Sequence, residues 1–117
     1  MSGGLTTHVL DLTNGMPASN LKIELWQLEP VRTLLKTVNT NKDGRVDSPL
    51  LSDDQMKVGE YELIFHVAHY FRKQDVTLPE HPFLDQVPIR FGIADENSHY
   101  HVPLLVAPGG YSTYRGS

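Results

Sequence analysis

Apolar residues recur at every second position through most of this chain, and that period of two limits it to half-buried strands. In LKIELWQL, Leu21, Ile23 and Leu25 share one face, with Lys22, Glu24 and Trp26 on the other. EYELIFH sets Tyr61, Leu63 and Phe65 against Glu60, Glu62 and Ile64, and VPIRFGIA groups Ile89, Phe91 and Ile93. VRTLLKTV, rich in β-branched residues, reads as a further strand. Turn chemistry separates these runs at Asn14-Gly15, Glu29-Pro30, Asp43-Gly44 and Pro108-Gly109-Gly110. Only AHYFRKQ, 68–74, leans helical. The expectation is an all-β, antiparallel β-sandwich of seven or eight strands with one short helix, built as a single domain over 1–117.

The same alternation singles out HYHVPLLV, 99–106. Tyr100, Val102, Leu104 and Val106 must face the core, so His99, His101, Pro103 and Leu105 face away from it. An outward face that mixes two histidines with proline and leucine suits burial by a second subunit better than open solvent.

Composition removes whole classes of function. With no cysteine, neither a disulfide framework nor a thiolate nucleophile or metal site is open to the chain. A net charge of −4 without basic runs argues against a nucleic-acid partner. No apolar stretch approaches membrane-spanning length, so no membrane partner is expected. MSGGLTTHVLD lacks the pattern of a signal peptide, which makes the expected location cytoplasmic.

Three constellations can carry chemistry. NTNKDGRVDSPL offers oxygen ligands at Asn39, Asn41, Asp43 and Asp47, with Gly44 where a calcium loop wants glycine. Leu50 stands where the bidentate glutamate should be, so the stretch reads as a hairpin turn. His99 and His101 have the spacing to chelate a metal from one strand, with His8 as a possible third ligand, although nothing in the sequence brings His8 near them. A metal-free hydrolytic set would need a histidine base, an anion-holding arginine and an orienting hydroxyl; His101, Arg45 and Ser117 are of those types. Arg45 follows the 43–44 turn, at an expected strand end. His66, His69 and His81 have no partner pattern.

Four segments together resemble the transthyretin-related 5-hydroxyisourate hydrolases: LTTHVLDLTNGMPAS at 5–19, NKDGR at 41–45, HYHVPLL at 99–105 and YSTYRGS at 111–117. The YRGS run is the most specific of these signs, since it separates the hydrolases from the hormone-carrying transthyretins. PEHPFLDQVPIRF departs from the family's usual approach to its late strand. The resemblance implies a prealbumin-like sandwich assembled as a homotetramer, a dimer of dimers, with active sites in the channel where dimers meet. It implies catalytic roles for His8, Arg45, His101 and Ser117, and substrate contact by His8, Arg45 and Tyr114. His99, Arg115 and Gly116 would line the site. The implied reaction converts 5-hydroxyisourate to 2-oxo-4-hydroxy-4-carboxy-5-ureidoimidazoline, in purine catabolism, with no metal and no cofactor. Two alternatives remain at this point: a non-catalytic small-molecule binder of the transthyretin kind, and a zinc hydrolase using His8, His99 and His101.

Overall fold

The computed structural model describes residues 3–116. Two sheets lie face to face. One contains β1 (Gly4–Asp11), β2 (Met16–Pro17), β5 (Leu51–Ser52), β8 (His99–Ala107) and β9 (Gly110–Thr113). Its path runs β2-β1-β8-β9, with β5 paired to β1. The other runs β4-β3-β6-β7, from β3 (Lys22–Gln27), β4 (Thr33–Asn39), β6 (Gly59–Phe65) and β7 (Val87–Ile93). The helix α1 (Val67–Lys73) follows β6, one residue earlier than AHYFRKQ suggests. It is not long and apolar enough to cross a membrane.

The period-two reading accounts for the core. Ile23 and Leu25 of β3, Tyr61, Leu63 and Phe65 of β6, and Val102, Leu104 and Val106 of β8 meet between the sheets, all buried. Removing such side chains from water supplies the main drive for closing the sandwich, about 1.5–3 kcal/mol for each large one. Tyr70 and Phe71 of α1 close one end of this core. Tyr70 donates its hydroxyl to Asp11 at 2.8 Å, and Asp11 also accepts from the backbone of Thr13 and Asn14, which fixes the turn after β1. Burial, and then the Asp11 carboxylate, push the Tyr70 phenol well above its ordinary pKa.

Three details depart from the sequence reading. The sandwich is not antiparallel throughout, because β1 and β8 run parallel in register from Gly4–His99 to Asp11–Val106. Alternation reports which face a side chain takes but not strand direction. These two strands are joined through the whole of the other sheet, and so escape the antiparallel constraint of a hairpin. Second, Glu62 does not face solvent. Its side chain is only 8 % exposed, held by Arg32 at 2.7 Å and Arg90 at 3.4 Å, the pairing a covered carboxylate requires. Third, no strand follows the 43–44 turn: Arg45 forms a single bridge to His8, and 46–50 is irregular.

Candidate active site

The site is built on the outer face of the first sheet. In β1 the buried residues Leu5, Thr7 and Val9 alternate with Thr6, His8 and Leu10, which turn outward. In β8 the outward set is His99, His101, Pro103 and Leu105. Parallel register sets Thr6 beside His101 and His8 beside Pro103. His8 and His101 therefore occupy adjacent strands two residues apart, about 7 Å along the strand axis.

Arg45 reaches this face through the local chemistry of its turn. The Asn41 side chain accepts from the backbone N–H groups of Asp43 and Arg45, at 2.9 and 3.2 Å, and donates to Asp47 at 2.9 Å. Asn41 thus stitches the loop closed, and its side-chain oxygen is occupied by backbone donors. Gly44 is required here on two counts. Its φ is +75°, and a Cβ on it would come within 2.4 Å of the Val9 carbonyl and 3.3 Å of the His8 ring. The close approach lets Val9 donate to the Gly44 carbonyl at 2.8 Å, and the next residue, Arg45, bridges His8.

Gly116 approaches from the other side. Its N–H donates to the His101 carbonyl at 2.8 Å, and its Cα lies so close to the ring that a Cβ would sit 2.6 Å from His101 Cδ2. Thr6 Oγ1 lies 2.8 Å from His101 Nδ1. Burial, then the charge of Arg45, then His8, hold the His101 pKa below its ordinary value. The ring is therefore neutral near pH 7, the state in which imidazole accepts a proton. A recess of about 120 Å³ is lined by Thr6, Thr7, Arg45, Val46, Ser48 and Leu50.

Of the residues singled out by sequence, His8, Arg45, His101 and Gly116 come together. Arg115 does not join them: its guanidinium lies 4.1 Å over the Tyr100 ring and donates to the His99 carbonyl at 3.0 Å, which draws it toward the core side of β8. Tyr114, 59 % exposed, borders a larger cleft between the sheets, about 370 Å³, lined by Ile89, Phe91, Tyr100, Val102 and Arg115 among others. That cleft carries no histidine, and the acid–base groups lie on the opposite face of the sheet. His99 is exposed at the start of β8 beside Gly4, about 13 Å along the strands from the level of His8. The zinc-ligand set His8, His99 and His101 is not assembled, and no cluster of three metal-binding side chains occurs among the described residues. Ser117 lies outside the described residues. Sequence reasoning passed over Thr6, whose place in LTTHVLD on the same face as His8 was the available signal.

Comparison with known proteins gives this face its context. A family model described as the HIUase/Transthyretin family matches residues 5–116. The chain is 60 % identical over 117 residues to 5-hydroxyisourate hydrolase 2 of Rhizobium meliloti, covering 99 % of this chain and 98 % of that one. Among solved structures it superposes on Klebsiella pneumoniae 5-hydroxyisourate hydrolase with a TM-score of 0.80 at 30 % identity, over 98 % of this chain and 94 % of the other. It superposes on an (S)-allantoin synthase with a TM-score of 0.95 at 45 % identity, over 99 % of this chain but 44 % of that one. The architecture is the all-β, prealbumin-like fold.

Proposed function

The chain belongs to the HIUase/transthyretin family, and from that membership we propose that it is an enzyme hydrolysing 5-hydroxyisourate to 2-oxo-4-hydroxy-4-carboxy-5-ureidoimidazoline. The observation that carries this reading is the convergence of His8, Arg45 and His101 on one outward sheet face, in a chain 60 % identical to a protein named for that hydrolysis. A binder of the transthyretin kind has no use for a lowered-pKa imidazole beside a guanidinium.

The chemistry follows from the groups. His101, neutral near pH 7, takes a proton from water as the oxygen attacks a ring amide carbonyl. The new C–O bond leaves an oxyanion. Arg45 offers planar paired N–H donors to that oxygen and to the polar edge of the ring, so charge is met where it develops. The C–N bond then breaks, and the departing nitrogen takes the proton that His101 received from water, directly or relayed through His8, while the new carboxylic acid releases its proton to solvent. The products are the carboxylate and the opened ureido group. In this proposal the Ser117 hydroxyl orients the attacking water and Gly116 lines the site beside His101, while Tyr114, Arg115 and His99 stand away from the substrate bound on this face of the same chain.

We also propose that the chain works as a homotetramer. β7 and β9 are both unpaired edges, and both flank the 370 Å³ cleft, so a second copy adding strands there covers it. The outer sheet face with Leu10, Pro103 and Leu105 then meets a second dimer, which turns an open face into a channel. We place the reaction in the cytoplasm on the sequence alone, and fractionation checks that. The test of function is the ultraviolet decay of freshly generated 5-hydroxyisourate. Catalysed decay supports the reading; decay at the rate without protein overturns it. Sedimentation equilibrium should give a mass near four times 13.2 kDa, and a monomer at micromolar concentration would refute the assembly.

A further inference from the structure

Resting on the hydrolase reading and deepening it, we propose that Thr6 is a positioning residue whose hydroxyl holds the His101 ring at Nδ1 and leaves Nε2 as the nitrogen that takes the proton from water. The geometry is specific. Parallel register brings Thr6 directly beside His101, and Oγ1 lies 2.8 Å from Nδ1. On the opposite edge of the ring, Gly116 sits so close that a Cβ would come 2.6 Å from Cδ2 and 3.2 Å from Cγ. Nδ1 and Cδ2 flank Cγ on its two sides, so the ring is gripped at both shoulders. Its tip, Cε1 and Nε2, is left toward the outward face that Arg45 and His8 share.

Thr6 differs from its neighbour in a way that separates holding the fold from holding the site. Thr7 is buried, and its hydroxyl donates to the Val102 carbonyl at 2.7 Å, a tie between strands. Thr6 is exposed on the outward face and contributes nothing to the core. Among the described residues, His101 is the hydrogen-bond partner of its hydroxyl.

The chemistry selects the same arrangement. A neutral imidazole has one protonated nitrogen, and only the other can act as base. When Nδ1–H donates to Thr6 Oγ1, the lone pair is at Nε2. Once Nε2 has taken the water proton, both nitrogens are donors, and Nδ1–H still points at the same oxygen. One hydrogen bond thus serves both charge states without rearrangement. A carboxylate in this place would raise the imidazole pKa; a hydroxyl fixes ring and tautomer without adding charge. The surroundings agree, since burial and the nearby Arg45 and His8 all favour the neutral ring.

The test compares Thr6→Val, which keeps the β-branched shape, with Thr6→Ser, which keeps the hydroxyl. In Thr6→Val, kcat should fall about 10- to 100-fold with KM within about threefold, the scale of a mis-set general base. Thr6→Ser should stay within about threefold of the parent. Nitrogen-15 NMR of the substrate-free protein, above the His101 pKa, should show Nδ1 protonated and Nε2 bare in the parent, with that bias lost in Thr6→Val. An unchanged kcat in a folded Thr6→Val, or a parent spectrum with Nε2 protonated, overturns the proposal. Should Thr6→Val fail to fold, the parent spectrum and the Thr6→Ser rate still decide it. A parent without hydrolase activity defeats the hydrolase reading instead, and the tautomer spectrum still judges the hold of Thr6 on the ring.

Discussion

Replacing Gly116 by alanine adds one methyl group far from the core, and the structure fixes where it goes. The new Cβ would lie 2.6 Å from His101 Cδ2 and 3.2 Å from Cβ and Cγ of the same side chain. Carbon atoms in ordinary contact sit about 3.5–4.0 Å apart, so ring and chain must separate by about 1 Å. Backbone strain plays no part, because Gly116 is not among the residues with positive φ. Two responses are open. The ring can swing away, which breaks the 2.8 Å contact between Nδ1 and Thr6. Alternatively the 114–116 segment lifts, which breaks the Gly116 N–H bond to the His101 carbonyl and loosens Arg115 from Tyr100. Either way a reacting nitrogen or a wall of the site moves by about 1 Å, a displacement that costs on the order of 100-fold in rate. That corresponds to about 2.7 kcal/mol of barrier.

Stability should respond far less. One exposed backbone hydrogen bond is worth about 0.5–1.5 kcal/mol, and no core side chain is touched. Gly110 supplies the control, since it lies on the same β8–β9 hairpin and a Cβ there meets nothing within 4 Å. Both variants are assayed by the ultraviolet decay of 5-hydroxyisourate and by thermal melting. Gly116→Ala should lose about two orders of magnitude in kcat/KM with a melting shift of a few degrees. Gly110→Ala should match the parent in rate. A Gly116→Ala rate within threefold of the parent would refute the claim that this segment fixes His101.

Arg45→Lys keeps the positive charge but not the planar fork, so kcat should drop about 100- to 1000-fold with the melting temperature unchanged; near-parental rates would remove Arg45 from the site. His101 titrates below its ordinary 6.5, chiefly through burial, so the rate should hold to below pH 6.5 and fall only as acid protonates the ring, and His101→Asn should abolish hydrolysis. The same depressed pKa means the unfolded chain binds that proton more readily; native stability should therefore be lost as pH falls from about 6.5, and His101→Asn should flatten that part of the stability curve. Tyr70→Phe removes one donor from the buried Asp11 carboxylate and should cost about 1.5–3 kcal/mol in urea unfolding while hydrolysis continues at the parental rate.

The sequence disclosed faces much better than it disclosed neighbours. Every core position assigned by alternation in β3, β6 and β8 is inside, because a strand has two faces and burial chooses between them. Pairing direction was hidden, since the parallel partner of β1 lies 95 positions away and no local turn records it. Glu62 looked solvated because its covering arginines come from β7 and from the segment before β4. In the site, the outward aim of His101 was legible from the alternation in HYHVPLLV, whereas His8 was assigned no face. The convergence of Arg45 was not legible, because it depends on how an Asn41-stitched loop docks on β1. The placement of Arg115 was hidden for a related reason: nothing in the YRGS motif says that its guanidinium lies on Tyr100.

The aim of the two histidines is set by the core and not by the site. A slip of one residue in β1 and β8 would turn every side chain to the opposite face. Leu5 and Val9, with Tyr100, Val102, Leu104 and Val106, would leave the interior, and Thr6, His8, His99 and His101 would enter it. Leu10, Pro103 and Leu105 would enter as well, so the net loss is three apolar side chains at about 1.5–3 kcal/mol each, about 4.5–9 kcal/mol, on the scale of the whole stability of a domain. Burying imidazoles without partners would add to the loss. The slipped arrangement is therefore no competitor, and His8 and His101 point outward without help from any interaction between them. What remains to be set is finer: the rotation of the His101 ring and the approach of Arg45. Those are the tasks of Thr6 and Gly116, which lie outside the core and can be changed without disturbing the sandwich, and of Gly44, which is buried against Val9 and admits no Cβ.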